Sequence, residues 1–317
     1  MEFDLIGQFF LPLSASASSS QKTGDLAIGD DGAIITPPSD CQLVVVTDTL
    51  VEGVHFPLDT SAYDIGWKAL AVNLSDLAAM GAKPAFYSLA LTLPKVDQAW
   101  LSGFSKGLAD CAAPYEIPLI GGDTTRGPLT ITVTAQGWVP RGQALLRSGA
   151  KPGDAIFVSG LIGEAGRGLS LALAQQGAQN LADKLALARL NRPQAQVALG
   201  CELIAIAHSA IDISDGLLAD LGHILDASGV GASLVFDTIP LSKAVKQWAG
   251  DNRLRPLCAG DDYELCFTAS ADKQAQLDAL AKKLDVKLYK IGAISQQPGL
   301  LIDGVQLDLE KKGYDHF

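Results

Sequence analysis

Aspartates recur at the ends of apolar runs and inside glycine turns: Asp30, Asp31, Asp48, Asp123, Asp212, Asp215, Asp261 and Asp262, with Asp76 on a helical stretch. Short carboxylates on rigid strand ends suit a small hard cation such as Mg²⁺, which asks for oxygen ligands in tight octahedral geometry. Brought together, they repel. Two unit charges 4 Å apart cost about 1 kcal/mol in water and about 4 kcal/mol at an effective dielectric near 20. Several such acids without a counter-charge exceed what a marginally stable domain tolerates. Either the acids do not converge, or metal ions hold them.

The familiar phosphate-binding patterns are missing: no G-x-x-x-x-G-K-[ST], no G-x-G-x-x-G opening a helix, and no H-R-D loop. Asp48-Thr49-Leu50 lacks the second Asp of a D-x-D phosphorylated nucleophile. Asp212-Ile213-Ser214-Asp215-Gly216 lacks the acids of an EF-hand at its fifth and twelfth positions. No Ser/His/Asp or Cys/His set stands out. His55 follows Asp48 on the same segment and reads either as a solvated edge histidine or as a neighbour of the acids. Arg147, in a Leu-Leu-Arg-Ser-Gly turn, reads as a phosphate contact or as a surface arginine.

The elements that must position these residues read as follows. Gly29-Asp30-Asp31-Gly32 is a turn ahead of a strand at Leu43 to Val46, whose end presents Thr47, Asp48 and Thr49. Asp64 to Met80 has helical spacing and carries Asn73 and Asp76; Gly81 and Pro84 end it. Phe86 to Leu93 is a strand, Val96 to Ala112 a helix, and Ile117 to Ile120 a strand running into Gly121-Gly122-Asp123. Leu129 to Val139 alternates as a half-exposed antiparallel strand does. A boundary falls at the turn-rich Gly149 to Gly153, giving domains 1–149 and 150–317. Beyond it come a strand at Ala155 to Ser159 and helices at Glu164 to Gly177 and Ala195 to Ala207. The run Ala210 to Ile213 leads to Asp215 and a helix over Leu217 to Ala227. A strand at Ser233 to Phe236, a helix at Lys243 to Trp248, the acidic turn Ala259 to Tyr263, a strand at Glu264 to Thr268, a helix at Ala271 to Leu284 and a strand region at Lys287 to Ile302 complete the chain. Mixed α/β (α+β) layers are expected in both halves.

At 317 residues and 48% hydrophobic, the chain is long enough for two cored domains. A net charge of −11 argues against a nucleic-acid surface. Phosphates handled by such a protein need divalent cations as intermediaries. The five cysteines form no C-x-x-C pair, which suggests a reduced, cytoplasmic setting. Residues 1 to 20 lack the basic start of a signal peptide; Phe3 to Phe10 reads as a short helix and Ser14 to Ser20 as a flexible loop. No run approaches the ~18 apolar residues of a membrane span.

With these residues assembled, the chain resembles the thiamine-monophosphate kinases, within the superfamily named for aminoimidazole ribonucleotide synthetase. The matching segments are G-D-D-G-A-I at 29–34, T-D-T-L-V-E-G-V-H-F at 47–56, K-A-L-A-V-N-L-S-D-L-A-A-M-G-A at 68–82 and G-G-D-T-T-R-G at 121–127. They continue with R-S-G-A-K-P-G-D at 147–154, I-D-I-S-D-G-L at 211–217, D-D-Y-E-L-C-F-T at 261–268 and G-Y-D-H-F at 313–317. The resemblance implies ATP-dependent phosphorylation of thiamine monophosphate to thiamine diphosphate by direct in-line transfer with several Mg²⁺ ions. It also implies a homodimer formed by an N-terminal ATP- and Mg-binding domain, and a C-terminal domain that completes the nucleotide and substrate site. Carried over by motif, Asp30, Thr47, Asp48, Asp76, Asp123, Asp212 and Asp215 ligate magnesium, with Asp48, Asp123 and Asp212 central to catalysis. Gly122, Asp123, Arg147 and Ser214 contact ATP; His55, Asp261 and Tyr314 hold the thiamine phosphate. Asp261 stands where the family often has Glu, Tyr314 where it often has Trp, and Val46 where a hydroxyl residue is common. Other superfamily activities fit less well. A hydrogenase-maturation dehydratase needs a C-terminal Cys, and a selenophosphate synthetase needs a reactive Cys ahead of Cys41. A silent thiamine-phosphate or metal-binding protein would bind without turnover.

Overall fold

The computed structural model describes residues 2–15, 25–175, 177–307 and 313. The chain divides into two compact units, one of residues up to Leu77 with Ala82–Gly142, the other of Ala78–Gly81 with the residues from Gln143 on. Among the described residues, no helix is long and apolar enough to cross a membrane.

In the first unit, β1 (Cys41–Val51), β2 (Lys83–Leu93), β3 (Leu119–Arg126) and β4 (Thr130–Pro140) form a sheet in the order β1-β4-β2-β3. Only β2 and β3 run parallel. β1 is longer than the apolar run Leu43 to Val46 implies, because β4 pairs with it from Cys41↔Pro140 to Val51↔Thr130. Alternation along β4 buries Ile131, Val133 and Ala135 on one face, level with Leu89 and Leu91 of β2. The other face carries Thr130, Thr132 and Thr134, paired with β1 residues Val51, Thr49 and Thr47.

The helices of this unit are α1 (Glu2–Leu5), α2 (Leu11–Ala15), α3 (Ala62–Ala79) and α4 (Gln98–Ala112). A π-helical turn at Ile6–Phe10 joins the first two and turns both Phe9 and Phe10 inward, so the N-terminal helix is interrupted where a continuous one was expected. Ser14 and Ala15 are helical; residues 16–20 of the expected loop lie outside the described residues. Ser61 and Asp64 cap α3 reciprocally: the Asp64 N–H donates to Ser61 Oγ at 3.1 Å, and that hydroxyl donates to Asp64 Oδ2 at 2.8 Å. Glycines let α3 and α4 touch backbone to backbone, since a Cβ on Gly107 would lie 2.0 Å from the Tyr63 carbonyl oxygen. Leu70, Leu74 and Leu77 of α3 and Leu101, Phe104 and Leu108 of α4 are fully buried.

The second unit holds β5 (Ala155–Ser159), β6 (Ala207–Asp212), β7 (Gly231–Leu234), β8 (Leu265–Ala269), β9 (Leu288–Ser295), β10 (Gly299–Ile302) and β11 (Val305–Gln306), in the order β11-β10-β7-β9-β5-β8-β6. Its helices are α5 (Glu164–Leu173), α6 (Leu181–Asn191), α7 (Val197–Leu203), α8 (Leu217–Ser228), α9 (Lys243–Ala249) and α10 (Gln274–Leu284). Leu217, Leu221 and Ile224 of α8 pack with Ile156, Val158, Ile211 and Ile291 in one core, and Phe157 stacks on Phe267 with centroids 5.3 Å apart. α6 was not anticipated from the sequence. α7 is shorter than the expected Ala195 to Ala207, because its C-terminal residues turn into β6.

Candidate active site

In the first unit, β1 presents Thr47 and Thr49 on the open face and Asp48 on the helix-covered one. The Thr47 and Thr49 hydroxyls pair with those of Thr134 and Thr132, each at 2.9 Å. Asp48 is half-buried, and its N–H donates to Asn73 Oδ1 at 3.2 Å. Asn73 is fully buried on α3 and is held in turn by its Nδ2 on the Ala69 carbonyl. Asp76, three residues on, shares that helix face, so α3 brings Asn73 and Asp76 to the Asp48 edge. The exposed Asp30 turns back on its own loop, its Oδ1 accepting from the Asp31 N–H at 2.8 Å.

Asp123 sits on β3, directly after Gly122. Gly122 has φ +155°, and a Cβ there would lie 1.8 Å from the Leu89 carbonyl oxygen, so only glycine permits this strand pairing. The row Asp48, Val133, Leu89, Gly122 crosses the whole sheet from edge to edge. Three strand spacings separate its ends by about 14 Å. One sheet therefore keeps Asp48 and Asp123 apart. Among the described residues, no three His, Cys, Asp or Glu side chains converge as a metal site.

His55 is fixed by its backbone surroundings. Its Nδ1 accepts from the Val51 N–H at 3.0 Å, which leaves the proton of the neutral ring on Nε2. The buried Lys68 donates to the His55 carbonyl at 3.3 Å.

In the second unit, the end of β6 gathers the remaining acids. Asp212 is buried at the strand end, and Ser214, Asp215 and Gly216 form the loop into α8. Asp220, in the first turn of α8, accepts at Oδ2 from the N–H groups of Ser214, Asp215 and Gly216 at 3.0, 3.1 and 3.1 Å. Burial, then the charges of Asp212 and Asp215, push the Asp220 carboxyl up to about 8 against those hydrogen bonds. The turn Gly260 to Tyr263 closes on the same loop: the Asp261 N–H donates to the Ser214 carbonyl and the Tyr263 N–H to that of Ile213, both at 2.8 Å. Asp261 and Tyr263 both have positive φ, and the Tyr263 hydroxyl donates to Asp261 Oδ1 at 3.2 Å. Arg147 is exposed beside β6. Its neighbour Leu146 accepts from the Ala210 N–H at 3.0 Å, and the Arg147 carbonyl accepts from Ser228 Oγ at 3.3 Å. Asp212, Ser214, Asp215 and Asp261 thus surround one strand end; Arg147 stands beside the earlier part of β6, between Leu146 at Ala210 and Gly149 at His208, and Tyr314 lies outside the described residues.

Two further acids do structural work that composition could not separate from the site. Asp262 is buried and caps α5, accepting from the Gly163 N–H at 2.7 Å and the Ala165 N–H at 3.4 Å. Its burial holds the carboxyl well above the usual range. Glu264 is buried among Ser159 Oγ at 2.7 Å, Gln196 Nε2 at 2.9 Å and Arg189 Nη1 at 3.4 Å. Desolvation outweighs these partners and pushes Glu264 up to about 7.

Residues 29–139 match the family described as AIR synthase related protein, N-terminal domain, and residues 151–303 match AIR synthase related protein, C-terminal domain. Over 322 aligned residues the chain is 45% identical to the thiamine-monophosphate kinase of Escherichia coli K12, covering 100% of this chain and 98% of that one. The chain belongs to the thiamine-monophosphate kinase family. Among solved structures, it is similar to the thiamine-monophosphate kinase from Stenotrophomonas maltophilia K279a, with a TM-score of 0.87, 48% identity, and 93% and 96% of the two chains covered. A second likeness is to a structure described as AaThiL complexed with AMPPCP and TMP, with a TM-score of 0.80, 30% identity, and 92% of each chain covered.

Proposed function

We infer that this chain transfers the γ-phosphoryl group of ATP directly and in line to thiamine monophosphate, giving thiamine diphosphate, the last step of that cofactor's biosynthesis. The observation that carries this reading is a 45% identity spanning the whole chain, joined to a fold likeness with a structure that holds AMPPCP and TMP. Phosphoryl transfer asks for positioning and charge neutralisation more than covalent chemistry. The acceptor is already a phosphate oxygen, so no activated Ser, Cys or His is needed.

Magnesium fits the residues present. The donors are hard carboxylate and hydroxyl oxygens, and Asp212 and Asp215 lie near enough to Asp220 for their charges to raise its pKa, a repulsion that a cation relieves. Asp30, Thr47, Asp48, Asp76 and Asp123 of the first unit and Asp212 and Asp215 of the second are the proposed ligands. Bound Mg²⁺ neutralises charge on the transferring phosphoryl group. Gly122, Asp123, Arg147 and Ser214 hold ATP, Arg147 as a charge-assisted donor to phosphate. His55 offers its Nε2–H to the substrate phosphate. Asp261 faces the cationic thiazolium or the aminopyrimidine, and Tyr314 stacks on a ring.

In this reading the domains are 1–149, which binds ATP and magnesium and dimerises, and 150–317, which supplies further nucleotide and substrate contacts. The open face of the first sheet supports a homodimer, since Leu43 and Val45 there are 46% and 56% exposed. Five free cysteines agree with the cytoplasm.

The deciding experiment is ADP release from ATP and Mg²⁺, with and without thiamine monophosphate, with free thiamine and EDTA as controls. Turnover that needs both the monophosphate and the metal is expected. ADP formation indifferent to thiamine monophosphate would overturn the reading.

A further inference from the structure

The loop between β6 and α8 has almost all of its backbone hydrogen bonding committed inside the protein. The Ile213 N–H donates to the Glu264 carbonyl at 2.8 Å, and the next three N–H groups converge on Asp220 Oδ2. The carbonyls of Ile213 and Ser214 receive the Tyr263 and Asp261 N–H groups, and that of Gly216 receives the Asp220 N–H at 3.0 Å. Space is as tight as the bonding. A Cβ on Gly260 would lie 2.2 Å from the Ser214 carbonyl oxygen, and one on Gly216, at φ +118°, would lie 2.8 Å from the Cys258 carbonyl carbon.

Successive N–H groups at the start of a helix are ordinarily a place for a phosphate. Here a buried carboxylate from the helix's own first turn takes that place. We propose that Asp220 is a positioning residue for phosphoryl transfer: by gathering the N–H groups of Ser214, Asp215 and Gly216 on one oxygen, it leaves only the loop's side chains for the metal–nucleotide complex and fixes where they point. Asp220 touches neither nucleotide nor substrate. This assignment rests on the nucleotide and metal roles proposed for Ser214 and Asp215.

Geometry rather than charge is the operative property, because a single oxygen accepts all three hydrogen bonds. Asn presents such an oxygen; Leu matches the volume without one. In equilibrium titrations with Mg²⁺ and a non-hydrolysable ATP analogue, Asp220→Leu should weaken binding by about tenfold or more, as losses of residues that orient metal ligands do. Asp220→Asn should restore affinity to within about threefold, and the KM for MgATP should follow the same order. Wild-type affinity in the Leu variant, or an Asn variant as weak as Leu, would overturn the proposal. If the Leu variant does not fold, the wild-type protein decides by hydrogen exchange. The Ser214, Asp215 and Gly216 amides should be protected without nucleotide and gain little when it is added; protection that arises only with nucleotide would assign those N–H groups to phosphate and defeat the proposal. Wild-type turnover in the same preparation separates this outcome from failure of the kinase reading itself.

Discussion

Glu264 shows how far one buried carboxyl is governed by its surroundings. Removal from water dominates, and Arg189, Ser159 and Gln196 recover only part of the loss, leaving the group at about 7. The folded-state value is therefore raised above the unfolded one, so the fold binds the proton more tightly than the open chain. Its contribution is most favourable at low pH and becomes less so as pH climbs from the ordinary glutamate range through 7. Over that interval the change amounts to about 3 kcal/mol. Glu264→Gln keeps an oxygen for Ser159 and Gln196 but cannot ionise. Its stability relative to wild type should rise between pH 5 and pH 8, as read by urea denaturation at each pH. Asp262, also raised, is present in both proteins and largely cancels. A stability difference that is flat with pH would mean that Glu264 does not titrate there.

At the scale of elements, β3 depends on a backbone that only Gly122 can supply. Gly122→Ala puts a methyl 1.8 Å from the Leu89 carbonyl oxygen, so β3 must leave its register with β2 and carry Asp123 with it. We expect a loss of about 1–3 kcal/mol by denaturant unfolding, together with loss of turnover. Wild-type stability and rate in this variant would refute the close approach. The acids on β1, β3 and β6 were legible because each ends or interrupts an apolar run, and short apolar runs are how strands announce themselves. The α6 helix was not, and the reason is physical. Its Leu181 and Leu185 face solvent at 71% and 56% exposure, while Asp183 shares the buried face with Ala186 and Leu190 and pairs with Arg167, so apolar residues on both faces blur the helical pattern. Asn180, whose side chain accepts from the Asp183 N–H at 3.0 Å, was the one local start signal. Asp220, Asp262 and Glu264 were equally hidden. Sequence spacing lists acids, but only the fold tells which of them face backbone N–H groups.

At the scale of the molecule, the chain carries a charge of −11; the second unit brings Asp212 to the end of β6, whereas in the first sheet Asp48 and Asp123 lie within the two edge strands, on opposite edges. A sheet with one helix-covered face ordinarily covers or solvates the other. Here the open face mixes the threonine pairs Thr47–Thr134 and Thr49–Thr132 with the exposed Leu43 and Val45, and Lys83 lies beside Trp138 at its apolar end. Val45 pairs with Gln136 and Leu43 with Trp138, so the apolar end of this face spans two strands. The proposed homodimer would cover this face with a second copy of the chain, pairing like surface with like around a twofold axis. Val45→Glu would place a charge within the proposed contact without entering the core of the unit, since Val45 is exposed. Sedimentation equilibrium should give a dimer for wild type and a monomer for Val45→Glu, with the monomer's thermal unfolding still cooperative. A dimer unaffected by the substitution would move the interface elsewhere, and a monomeric wild type would remove the dimer from the proposed function altogether.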